Sequence, residues 1–280
     1  MDLCDLSVIR ALLDEHGLRM QKSLGQNFLI DPEVPRRIAG SVGEADEVLE
    51  IGPGIGCLTA ELCRAHPRVT AVELDAGLIP VLAKTLAEFD NVRVIHGDIL
   101  KTDLPALFSP GSRIAVCANL PYYITTPILM ELIASPVPFV SLTVMVQAEV
   151  AARFTAPPGG RDYGAVTVAL GAYGTVKKLF SVSAGHFYPA PKVDSAVVQI
   201  VPRETPLLAE KERPVFRSVV RAAFEKRRKT LANALASLPH GRSKEELGAI
   251  LSSLGFPADV RGERLSPEDY ASLIRSLFPQ

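Results

Sequence analysis

Between residues 48 and 147 the chain alternates short apolar, largely β-branched runs with stretches whose apolar positions recur at helical spacing. The runs are VLEIG (48–52), VTAVEL (69–74), VRVIHGD (92–98), RIAVCANL (113–120) and SLTVMVQ (141–147). The helical stretches between them are LTAELCR (58–64), GLIPVLAKTLAE (77–88) and PILMELIA (127–134). Apolar runs without in-out alternation suit strands covered on both faces, so the pattern predicts a doubly wound α/β layout around a mostly parallel sheet. AVTVALGAYGTVKKLFSV (165–182) and SAVVQIVP (195–202) read as further strands.

Outside this region, Leu6, Ile9, Leu12 and Leu13 share one face of a helix expected over 6–16. Asp31 followed by Pro32 is a helix-start signal. The polar, proline-bearing RETPLLAEKERP (203–214) marks a linker. Helical patterns follow over 214–235, 243–255 and 266–278, the last two opened by Ser with an acid close behind. The predicted division is an α/β domain over 1–205 and a small all-helical domain over 206–280.

Composition narrows the function classes. The chain has 280 residues, 48% of them hydrophobic, and a formal net charge of −1, so any nucleic-acid surface must be a local basic patch. Four cysteines show neither CxxC spacing nor histidine pairs, which points away from structural zinc and toward reduced core residues. No basic region precedes the apolar positions of the first helix, and no apolar stretch approaches the roughly 20 residues of a membrane span. A cytoplasmic protein, with no metal and no membrane partner and monomeric by default, is expected.

Gly52, Gly54 and Gly56 lie between a strand and a helix, where glycine lets a ligand approach the backbone closely. Glu73 ends the next strand, placed to accept from a ribose diol. A dehydrogenase would share both features, although the third glycine of the dinucleotide fingerprint is replaced by Cys57. Asp98 ends the third strand and Asn119 the fourth. Taken alone, Asp98 reads first as a turn aspartate. Together, Gly52, Glu73, Asp98 and Asn119 mark four strand ends on one sheet edge. The set resembles the S-adenosylmethionine-dependent methyltransferases, a likeness implying that Glu73 holds the ribose, Asp98 the adenine, and the glycine loop the methionine portion.

The stretch ANLPYYITTPIL (118–129) then suits amine methylation. An exocyclic amine is a poor nucleophile because its lone pair is delocalised into the ring. The Asn119 oxygen can accept one amine hydrogen and the Leu120 carbonyl the other, since Pro121 restricts Leu120 to extended geometry. Tyr122 can stack on the base. An Asx-type turn closed by proline is the bland alternative.

KSLGQNFLID (22–31), EIGPGIGCLT (50–59), ANLPYYITTPIL, MVQAEVAARF (145–154), FYPAPKVDSAVV (187–198) and FEKRRKTLANAL (224–235) appear in that order. Together they resemble the ribosomal RNA adenine dimethyltransferases. The resemblance implies a class I methyltransferase domain over 1–205 and a helical RNA-substrate domain over 206–280. It implies dimethylation of N6 of two adjacent adenosines in a hairpin near the 3′ end of small-subunit ribosomal RNA, during assembly of that subunit. It adds Asn27 and Leu29 to the cofactor set, lays Gln26 and Asn27 over the cofactor, and makes Phe187 a second stacking ring opposite Tyr122. Core packing is the other reading of Phe187.

At 100° per residue, Arg217, Arg221 and Arg228 would fall within about 40° of one another on a helix. With Lys226 and Arg227 they are the expected contacts to the RNA backbone. Rival readings are an amine methylase acting on DNA, free RNA or protein, and a binding protein that transfers nothing.

Overall fold

The computed structural model describes residues 1–19, 26–226, 228–239 and 242–278. Residues 22–25 of the KSLGQNFLID stretch, and Arg227, lie outside them. The chain divides into two compact units, Met1–Ala151 with Lys177–Val201, and Ala152–Val176 with Pro202–Gln280.

In the first unit, α1 (Leu6–Glu15) starts where the Asp5 carboxylate accepts from the Ser7 N–H at 2.7 Å, and it buries Ile9, Leu12 and Leu13. The short strand β1 (Phe28–Leu29) precedes α2 (Glu33–Gly40), whose first N–H donates to Asp31 at 3.0 Å. Then β2 (Glu47–Ile51), α3 (Cys57–Ala65), β3 (Val69–Glu73), α4 (Leu78–Thr85) and β4 (Val92–His96) alternate as the pattern predicts. They lead into β5 (Ile114–Asn119), α5 (Thr125–Ala134) and β6 (Phe139–Gln147). After α6 (Ala148–Phe154) and α7 (Ala165–Tyr173) come β7 (Gly174–Val182), β8 (Phe187–Tyr188) and β9 (Ser195–Pro202).

The seven-stranded sheet runs β4-β3-β2-β5-β6-β9-β7. Its β2–β3, β3–β4, β2–β5 and β5–β6 pairs are parallel, and β9 joins β6 antiparallel. The order reverses direction beside β2, so the ends of β2, β3, β4 and β5 converge on the crevice where such sheets bind ligands. Apolar residues of β2, β5, α2 and α3 form one core cluster, and those of α1, α3 and α4 another.

In the second unit, α8 (Arg213–Glu225), α9 (Leu231–Leu235), α10 (Lys244–Ser253) and α11 (Pro267–Leu277) surround their own apolar cluster. Ser243 and Ser266 open α10 and α11 with reciprocal capping boxes to Glu246 and Asp269.

Three expectations change. Residues 165–173 form a helix, not a strand: Thr167 Oγ1 accepts from the Gly164 N–H at 3.1 Å and donates to the Arg153 carbonyl at 2.7 Å. The division at 205/206 gives way to one in which 152–176 joins the helical unit. Tyr163, Val168 and Ala172 pack there with Phe216, Val220 and Tyr270, and the Tyr163 hydroxyl donates to Leu265 O at 2.8 Å. The helix predicted over 214–235 breaks after Glu225, because Thr230 caps a new one and the Leu231 N–H turns to the Val260 carbonyl at 2.7 Å. Arg228 therefore does not share a helix face with Arg217 and Arg221.

Candidate active site

The β2–α3 loop carries Gly52 at φ +69° and Gly54 at φ +62°, left-handed conformations that favour glycine. A Cβ on Gly54 would stand 3.3 Å from the Phe28 ring, so a side chain there would crowd the strand that covers the loop. Glu73, at the end of β3, is buried and holds this loop in place. One carboxylate oxygen accepts from the Gly54 N–H at 3.2 Å and the other from the Asp75 N–H at 2.8 Å. Burial raises its pKa, while these two backbone donors oppose the shift.

Beyond β4, Asp98 stands in a turn at the cleft. It caps a short 3₁₀ turn by accepting from the Leu100 N–H at 3.0 Å, and it also lines the ligand cleft. Asn119 ends β5 opposite Met145. Among the described residues no hydrogen bond occupies its carboxamide. Leu120 is buried and its N–H donates to the Met145 carbonyl at 3.1 Å. The Pro121 carbonyl accepts from the Ile124 N–H and from Thr125 Oγ1, each at 3.1 Å, and this closes the turn. The Tyr122 hydroxyl meets Ser195 Oγ at 2.8 Å, so its ring is tethered to β9.

A single cleft of about 1130 Å³, solvent mouth included, gathers most of the predicted residues. Asn27, Leu29, Gly52, Gly54, Glu73, Asp98 and Asn119 line it, and Leu120, Pro121 and Tyr122 adjoin them. Gln26 stands at the edge with its amide donating to Asp75 at 2.9 Å. Phe187 is the exception. Its pairing with Leu29 in the β1–β8 ribbon turns the ring into the core with Val182 and Val197, 2% exposed and away from the cleft lining. Its ring packs in that core.

Two further lining residues carry no expectation from the sequence. Tyr123 is 57% exposed at the cleft mouth. Glu50 lies in the cleft wall, 1% exposed, and burial above all pushes its carboxyl up to about 8. An acid inside the run VLEIG was the available signal.

The lining decides between the two nucleoside ligands left open by the glycine loop. Glu50, Glu73 and Asp98 contribute acids, and among the described lining residues there is no Lys, Arg or His. A pyrophosphate would meet the Glu73 and Asp98 acids, whereas a positively charged nucleoside fits. The glycine loop and the buried Glu73 that holds it suit S-adenosylmethionine. Among the described residues no group of three His, Cys, Asp or Glu side chains could hold a metal ion. No helix among them is long and apolar enough to cross a membrane.

Residues 17–277 match the family model described as ribosomal RNA adenine dimethylase. The chain belongs to that family. Ribosomal RNA small subunit methyltransferase A of Shouchella clausii is 44% identical, over 99% of this chain and 96% of that protein. Its counterpart in Streptococcus agalactiae is 45% identical, over 99% and 98% respectively. Among solved structures, a dimethyladenosine transferase from Plasmodium falciparum superposes with a TM-score of 0.74 at 26% identity, covering 88% of this chain and 95% of that one. The 23S rRNA methyltransferase ErmE gives 0.69 at 27% identity, with 89% and 99% covered. As a member of the ribosomal RNA adenine dimethylase family, the protein is an S-adenosylmethionine-dependent adenine dimethyltransferase with a class I, Rossmann-like methyltransferase fold.

On α8 of this family member, Arg217 and Arg221 are exposed, and Arg221 pairs with Glu225 at 2.6 Å. Lys226 and Arg228 are exposed in the turn that follows.

Proposed function

We propose that the protein dimethylates N6 of two adjacent adenosines in a hairpin near the 3′ end of small-subunit ribosomal RNA, acting on the particle during assembly as a monomer in the cytoplasm. The observation that carries this reading is the open Asn119 carboxamide at the tip of β5, beside an acid-lined nucleoside cleft. Full-length similarity to small-subunit methyltransferases supports the choice of RNA.

The bound cofactor supplies a methyl group on positively charged sulfur, already activated for transfer. Asn27, Leu29, Gly52, Gly54, Glu73, Asp98 and Asn119 would hold it. An adenine must leave the RNA stack to reach the cleft. Asn119 Oδ1 and the Leu120 carbonyl accept its two amine hydrogens, which favours a pyramidal nitrogen and aims the lone pair. Tyr122 stacks on one face of the ring. Its phenol, raised in pKa by burial and bonded to Ser195, keeps its proton and serves as a platform rather than a base. No residue here needs to be a strong base, since the methylated amine sheds its proton late. Positioning and exclusion of water do most of the work. After one transfer the amine has a single hydrogen left, and the second turn needs only one of the two acceptors.

The helical unit, Ala152–Val176 with Pro202–Gln280, would contact the RNA backbone through Arg217, Arg221, Lys226 and Arg228. The test uses labelled S-adenosylmethionine with small-subunit particles from cells lacking the enzyme, followed by mass spectrometry of the RNA. Two dimethyladenosines in the 3′ hairpin are expected. Label entering 23S RNA, duplex DNA or protein instead would overturn the assignment.

A further inference from the structure

The turn after β5 carries a second ring that methyl transfer leaves without a task. Tyr122 and Tyr123 follow Pro121 in direct succession, but they are held differently. Tyr122 is half-buried, with its hydroxyl on Ser195 Oγ at 2.8 Å. Tyr123 is 57% exposed at the cleft mouth, and no hydrogen bond or ring contact engages it among the described residues. Its backbone is not loose. The Pro121 carbonyl accepts from the Ile124 N–H and from Thr125 Oγ1, so the chain after Tyr123 is pinned back to the residue before Tyr122. Thr125 is itself buried at the start of α5. The ring therefore stands on a closed turn, and covering it orders little further backbone.

Apolar side chains exposed singly are ordinary on a protein surface. Position sets this one apart. Two aromatic rings stand exposed among the described residues, Tyr123 and Phe278, and of these Tyr123 lines the nucleoside cleft. An open aromatic face suits a nucleobase, because every base has a π-face to stack on it. Which base follows from covalent connection. With one nucleotide flipped into the cleft beside Tyr122, the next nucleotide of the same strand is tethered at the mouth, where Tyr123 stands.

We propose that Tyr123 stacks on the nucleotide adjacent to the adenosine under reaction, so that while one adenosine of the pair occupies the cleft, the other lies against this ring. The contact rests on the two-adenosine reading of the site and supplies its second RNA subsite. Such stacking is present equally in the bound substrate and the transition state, so it acts on KM for the particle and leaves kcat alone. It also favours a purine over a pyrimidine at the neighbouring position, since purines stack more strongly.

The test uses small-subunit particles from cells lacking the enzyme, with either the natural adenosine pair or one member replaced by guanosine or by uridine. Wild type, Tyr123→Phe and Tyr123→Ala are compared for kcat, for KM toward the particle and for S-adenosylmethionine affinity. Tyr123→Ala should raise KM for the natural particle about tenfold, with kcat and cofactor affinity unchanged, and Tyr123→Phe should match the wild type. For the wild type, a guanosine neighbour should leave KM near its natural value and uridine should raise it. Tyr123→Ala should no longer distinguish the two. An unchanged KM in Tyr123→Ala overturns the proposal. So does an equal loss in Tyr123→Phe, which would assign the hydroxyl rather than the ring, or weakened cofactor binding, which would assign the ring to the cofactor. A guanosine–uridine difference that survives in Tyr123→Ala refutes it too, by placing the stacking elsewhere. A wild type that methylates neither adenosine of the particle would remove the two-adenosine reading, and this contact with it. Normal methylation by the wild type beside an indifferent Tyr123→Ala sinks the contact alone.

Discussion

Glu50→Gln should make the cofactor-free protein more stable, by an amount that grows with pH. In the folded chain the Glu50 carboxyl is pushed from 4.5 to about 8, with burial the leading cause. A raised carboxyl pKa means that the folded form keeps a proton the unfolded form has lost. Stability is therefore fully present below pH 4.5 and is lost as pH rises toward 8, at roughly 1.4 kcal/mol per pH unit. Over the whole window the loss is about 5 kcal/mol, and about 3 of it has accumulated by pH 7. Glutamine carries no such dependence. Urea unfolding followed by circular dichroism, at each pH unit from 5 to 9 and without cofactor, reads the difference directly. The variant should gain steadily on the wild type up to pH 8 and then run parallel to it. A difference that stayed constant across the series would mean that Glu50 is ionised in the folded protein at every pH, and the reasoning would fail.

Asn119→Ala should lower kcat by about 10²–10³, the usual loss for one positioned hydrogen-bonding partner, while binding of the RNA particle is unchanged. A parallel loss of particle binding would place Asn119 in docking rather than chemistry. Arg217→Glu with Arg221→Glu should weaken particle affinity and flatten its dependence on salt, by about one unit of log–log slope for each arginine that no longer meets a phosphate. Unchanged slopes in filter binding would remove α8 from the RNA interface. Phe187→Ala should cost about 3–5 kcal/mol of stability, as a buried aromatic ring does, measured by urea unfolding. A near-neutral effect would contradict its place in the core.

Strands β2, β3, β4, β5 and β6 were legible because parallel strands covered on both faces become runs of Val, Ile, Leu and Ala with few interruptions. The cleft was legible for the same reason: each run ends on a residue of different chemistry, and the topology collects those ends. What the sequence concealed depends on tertiary partners. The α7 stretch AVTVALGAY is rich in small and β-branched residues and looks extended. Packing of Val168 and Ala172 into the helical cluster overrides that preference, and it also moves the domain boundary. The break between α8 and α9 turns on one Leu231–Val260 hydrogen bond, which local pattern cannot reveal. For Phe187, an aromatic near a functional motif carries no mark of which way its ring turns; the β1–β8 pairing decides that. Glu50 was visible as an acid among apolar neighbours, but only the assembled sheet shows that no cation among the described residues pairs with it.

The bond between Tyr122 and Ser195 spans 73 positions of sequence. The residues that line the cleft all lie at or before Ile128 in the chain, yet the Tyr122 ring takes its aim from β9, which slots in beside β6 much later. A nascent polypeptide could shape the first long before it could orient the second. The orientation of Tyr122 is therefore set only once the last strand of the sheet is in place.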